Sequence, residues 1–112
     1  MGVAISQKRK LGQMLKSQRK KDKKSLRGLA ADCDMSYATL NDIENGNGFP
    51  TEKTILRIVE NLNFSNRVQI YDLYAKIKET APPDVIEYLS NNQPAVEEVR
   101  QRMEKEKGAT EQ

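Results

Sequence analysis

The chain has 112 residues, 37% of them apolar and 31% charged, with a mean hydropathy of −0.79. That size suits one small polar domain with a short appendage and excludes a two-domain enzyme or a membrane-spanning protein. With no histidine and one cysteine, disulfide frameworks, cysteine-rich zinc sites and catalysis built on imidazole are excluded as well.

The net charge of +3 conceals an asymmetry. Residues 1–31 carry ten Lys/Arg against Asp22 alone, or +9, while residues 32–112 carry nine against fifteen acids, or −6. A basic first third fits a polyanion partner, or else a solvated basic helix and loop.

Residues 1–7 are expected to form a flexible leader, since a three-residue apolar run is too short for a secretory core. They match an acylation pattern, Gly2 with Ser6 and a following Lys8-Arg9-Lys10, which leaves a lipid-anchored adaptor as one open reading. From Lys10, Leu11, Met14 and Leu15 recur at helical spacing and predict a first helix to about Lys21. After the polar loop 20–24, Ser25 is a good N-cap for a second helix whose Leu26, Leu29, Ala30 and Cys33 share one face. Ser36 can cap a third, with Leu40 and Ile43 inward, and Asn45-Gly46-Asn47-Gly48 followed by Pro50 should end it.

Thr51 caps a fourth helix with Ile55, Leu56, Val59 and Leu62 inside. A fifth spans about Arg67 to Glu79, and its apolar residues cover more than half its circumference, so one face can be core and the other interface. Ala81-Pro82-Pro83 stops it. Two short helical patterns follow, Asp84 to Ser90 and Pro94 to about Lys107, with a frayed end at Gly108 to Gln112. No strand alternation or repeat is visible, so the fold class is all-α.

The second and third helices are separated by about three residues, which forces a steep crossing, and small Ala30 suits a close contact there. The pair looks like a helix-turn-helix. From Ser25-Leu26-Arg27-Gly28-Leu29-Ala30 through Met35-Ser36-Tyr37 to Ile43-Glu44-Asn45-Gly46 the text resembles the Cro/lambda-repressor-type, or XRE-like, helix-turn-helix family. The likeness covers residues 8 to about 79, including the first helix and the Pro50 link.

The resemblance implies a five-helix DNA-binding domain over 8–79, with the helix-turn-helix at helices 2 and 3. Residues 80–112 would then be a C-terminal helical extension. Two departures stand out. Asp34 replaces the usual glycine and must adopt a left-handed turn, which aspartate manages better than most residues. Leu26 replaces a glutamine that often binds phosphate.

The resemblance further puts Tyr37, Ala38, Thr39, Asn41, Asp42 and Asn45 of the third helix toward the bases. Asn41 or Asn45 can pair with adenine, Asp42 can accept from cytosine, and Ala38 or the Thr39 methyl can touch thymine. That helix has no Arg or Lys, so affinity must come largely from phosphate contacts elsewhere. Lys23, Lys24, Ser25 and Arg27 at the start of the second helix, with Ser36, Asn47 and Lys53, are the candidates. Glu44 is expected to pair with Arg19 and brace the domain, and Cys33 to be packing rather than chemistry.

Tyr71, Tyr74, Val85, Leu89, Val96, Val99 and Met103 are expected at dimer contacts. The last two helices are too small for a core of their own and either fold back on the fifth helix or meet a second copy. The reading is a cytoplasmic, sequence-specific regulator, a repressor, binding a palindromic double-stranded operator as a homodimer without cofactor, metal or catalytic centre. The alternative is an antitoxin or other protein-interaction module using the helix-turn-helix scaffold, with autoregulatory or no DNA binding; a protein partner under either reading would be a toxin, an inducer or an antirepressor.

Overall fold

The computed structural model describes residues 2–111, with the side chains of 6–108. Among the described residues there are seven helices and no strand: α1 (Gly2–Lys21), α2 (Leu26–Asp32), α3 (Tyr37–Glu44), α4 (Glu52–Glu60), α5 (Arg67–Lys78), α6 (Pro83–Ser90) and α7 (Gln93–Glu111). The all-α expectation holds. No helix is long and apolar enough to cross a membrane among the described residues.

Four of the helices start in the same way. The side chains of Ser25, Ser36, Thr51 and Asn66 accept hydrogen bonds from the backbone N–H of Gly28, Thr39, Thr54 and Gln69. Each bond satisfies one of the donors a helix leaves unpaired at its first turn. α6 begins instead with Pro83 at its first turn, where a missing N–H costs nothing. Asp34 takes the left-handed turn between α2 and α3 at φ 55°, and Gly46 takes the turn after α3 at φ 78°.

One core joins the first five helices. Leu11 and Leu15 of α1 meet Leu29, Ala30 and Cys33, Leu40 and Ile43, then Ile55, Ile58, Val59 and Leu62, and Ile70, Tyr71 and Tyr74. Ile58, which the pattern of the fourth helix did not single out, is fully buried, whereas Leu56 is only half-buried. α1 crosses the end of α3 at Gly12, where an added Cβ would lie 2.4 Å from the Ile43 carbonyl oxygen. Only a residue without Cβ permits so close an approach.

Three expectations are corrected. The first helix starts at Gly2 rather than Lys10, so residues 2–7 extend it instead of forming a leader; Met1, where the acylation pattern begins, lies outside the described residues. The last helix runs to Glu111, past the expected Lys107, and Gln112 again lies outside. Tyr71 and Tyr74 are not at a subunit contact but inside the single chain. The Tyr74 ring stacks on Phe49 at 4.9 Å, and its hydroxyl donates to the Pro50 carbonyl at 3.0 Å. Burial pushes both phenols above their ordinary pKa.

α6 folds back against α4 and α5, with Pro83 buried, and α7 leaves from it. From Glu97 to Gly108 every residue of α7 is exposed. The radius of gyration, 16.7 Å, exceeds the ~13 Å of a compact chain of about 100 residues because this helix projects.

Candidate nucleic-acid interface

α2 and α3 are joined by residues 33–36 and pack on each other. The inner side of α3 is Leu40, Ile43 and Glu44, all buried. Its outer side is Tyr37, Ala38, Thr39, Asp42 and Asn45, all exposed, with Asn41 half-buried. The helical repeat separates the two sets, so the same nine residues hold the helix to the core and present a polar edge outward. Asn45 Nδ2 donates to Asn41 Oδ1 at 3.3 Å, which aligns the two amides along the outer face.

The cations expected to flank this edge divide into two groups. Lys23, Arg27 and Lys53 are exposed, as are the polar Ser25 and Asn47. Lys24 is not free: its ammonium donates to the Asn61 carbonyl at 2.6 Å and lies 3.6 Å from Asp32. It ties the loop before α2 to the end of α4 and leaves the phosphate set. Ser36 also has its hydroxyl engaged, accepting from the Thr39 N–H and donating to Thr39 Oγ1 at 2.7 Å.

Arg19 and Glu44 form a bidentate buried pair, Nε to Oε2 at 2.7 Å and Nη2 to Oε1 at 3.0 Å. Cys33 is buried, and its thiol is held above the ordinary pKa by that burial and by nearby Asp32. Its place in the core cluster with Leu29, Ala30 and Leu40 is that of a packing residue.

Several contacts were not evident from spacing. Lys8 and Lys78 both lie over the Phe49 ring, at 5.8 and 5.9 Å, and Arg9 packs against Gly46, so three cations from α1 and α5 surround the turn that follows α3. Continuing the helical repeat of α1 upstream of Lys10 would have placed Lys8 one turn from Gly12, at the α3 crossing. Arg57 reaches the positive-φ turn, 3.9 Å from Asp34 and 3.5 Å from the Cys33 carbonyl. The Arg27 guanidinium sits over Tyr37, 4.9 Å from the ring centroid.

A short-elbowed helix pair set on a buried ion pair, with its second helix offering polar side chains beside exposed cations, defines a helix-turn-helix DNA-binding domain. The family model described as Helix-turn-helix matches residues 15–65, and over that segment the chain is similar to the Cro/lambda-repressor-type, XRE-like family. No curated protein and no solved structure gives a match. The match supports a DNA-binding helix-turn-helix regulator in general.

Proposed function

We propose that the protein is a sequence-specific transcriptional repressor of the cytoplasm, acting as a homodimer on a palindromic operator without a cofactor. Bases are read by Tyr37, Ala38, Thr39, Asn41, Asp42 and Asn45. Phosphates are held by Lys23, Ser25, Asn47 and Lys53, with Lys8, Arg9 and Lys78 beside the turn after α3. The observation that carries this reading is the two-sidedness of α3: Leu40, Ile43 and Glu44 are built into the core while Tyr37, Ala38, Thr39, Asp42 and Asn45 stay exposed. Cations beside such an edge supply the sequence-independent attraction and leave discrimination to the outer side chains.

The second copy is assigned to α7 and the outer side of α6. Val85, Tyr88, Val99 and Met103 are exposed there, and a 19-residue helix with apolar residues left this open gains by pairing. Twofold pairing sets two recognition helices about 34 Å apart on the duplex. The same stripe favours a second reading, in which an antitoxin uses α7 to cover a toxin and the basic end to bind its own promoter.

The test is titration of the purified protein into the DNA upstream of its own gene, at two salt concentrations and against a scrambled duplex, with mass measured by sedimentation. Tighter binding to the upstream DNA and a dimeric mass support the repressor reading. Equal binding to both duplexes overturns it.

A further inference from the structure

α3 carries no arginine or lysine from Tyr37 to Glu44, so the commonest reader of guanine is missing from the recognition helix itself. We propose that Arg27, on the first turn of α2, supplies it, and that Arg27 and Tyr37 form one base-reading unit aimed at a guanine in the operator half-site. The inference rests on the DNA-binding reading above and names the base that one part of the site recognises.

Three observations carry it. The Arg27 Cζ lies 4.9 Å from the centroid of the Tyr37 ring, at the first residue of α3, the end of a recognition helix that approaches base edges in this class of domain. Both side chains are exposed, Tyr37 by 46%, so the pair stands on the surface and not in the core. Among the described residues no carboxylate pairs with Arg27. A guanidinium held over a ring by a cation–π contact keeps N–H groups that can donate. The ring also limits the rotation of a side chain that would otherwise lose much rotamer freedom on binding.

The resulting group is a planar, pre-oriented fork beside the N-terminus of α3. Its geometry matches the O6 and N7 acceptors that guanine presents in the major groove. A phosphate would need only the charge, which the exposed Lys23 already offers at the same end of α2. Tyr37, Asn41 and Asn45 follow at intervals of four residues, so the guanine belongs at the end of the half-site reached by the first turn of α3, with the amides reading further in.

The experiment is selection of bound sequences from a randomised duplex pool with the full wild-type chain and with R27K. The selected duplex is then titrated with each guanine in turn replaced by 7-deazaguanine. Arg27→Lys keeps the charge and removes the fork, and both side chains are solvent-facing, so the circular dichroism spectrum should be unchanged. The expected result is one guanine per half-site that wild type discriminates by roughly 5- to 150-fold, the range of a good bidentate pair. Its 7-deaza replacement should weaken wild type but not R27K, with the same log–log salt slope for both. If R27K selects the same guanine with the same discrimination, or if the wild-type half-site contains no guanine sensitive to 7-deaza replacement, Arg27 is a phosphate contact and the proposal falls. If wild type selects no sequence at all, the wider reading of a sequence-specific regulator falls with it, an outcome recognisable without the variant.

Discussion

Arg19 and Glu44 meet across 25 positions of chain as a fork-on-fork pair, with the third guanidinium nitrogen, Nη1, donating to the Lys24 carbonyl at 2.9 Å. One arginine thus holds α1, the loop before α2 and the last residue of α3 in a fixed relation. The two side chains are 10% and 2% exposed, so neither charge can fall back on water if the other is removed. Arg19→Leu or Glu44→Leu should each cost about 3–5 kcal/mol, and the double variant should recover much of the loss because no orphaned charge remains. Urea unfolding of the four proteins as a double-mutant cycle measures this.

Gly12 should tolerate no side chain. An alanine there would place its Cβ 2.4 Å from the Ile43 oxygen and 2.6 Å from the Glu44 oxygen, both backbone atoms of α3. Gly12→Ala is expected to cost on the order of 1–3 kcal/mol through overpacking, and to shift the end of α3 relative to α1. A fall in Tm together with weakened operator binding is the expected signature. An unchanged Tm would mean that the two helices are not held so close.

Base readers and phosphate holders should separate in salt titrations. Asn41→Ala should relax preference at one base position by about 1–3 kcal/mol, while Lys53→Ala should weaken all duplexes alike and lower the log–log salt slope by about 1. Lys24→Ala should behave as neither. Its ammonium bridges the Asn61 carbonyl and Asp32, so the substitution is expected to lower stability and leave the salt slope unchanged.

α7 gives a test of assembly that does not touch the DNA-binding domain. Val99 and Met103 are 45% and 60% exposed, so Val99→Glu with Met103→Glu should leave the Tm of the domain near that of wild type. Sedimentation should show a monomer, and affinity for a duplex with two half-sites should drop while that for a single half-site is kept. A dimer surviving in this variant would move the subunit contact elsewhere.

Asp22 makes a contribution that depends on pH. Its carboxylate accepts the Asn63 backbone N–H at 2.8 Å and the Gln18 side-chain amide at 2.9 Å, and the first of these bonds chiefly holds its pKa below the ordinary 3.8. Because the folded value is depressed, the stabilisation is fully present above 3.8 and is lost as pH falls through the folded value. Asp22→Asn should therefore reduce stability near neutrality and flatten its decline in acid, as followed by urea unfolding between pH 2 and 7.

What the amino-acid order determined alone is what a few neighbouring residues can decide. Ser25, Ser36 and Thr51 start helices because a side-chain oxygen three residues ahead of an N–H caps it whatever surrounds it. Leu29, Ala30 and Cys33, and likewise Leu40 and Ile43, share a face because helical repeat alone sets it on each helix. The use of each polar or aromatic side chain was decided in three dimensions. Lys24 is spent on Asn61, 37 positions away, Tyr74 on Pro50, and Arg27 lies over Tyr37 beyond an intervening turn. Periodicity says which way a side chain faces, but a long flexible cation or an aromatic ring finds its partner only once distant helices are packed, and that packing sets which charges remain free for DNA.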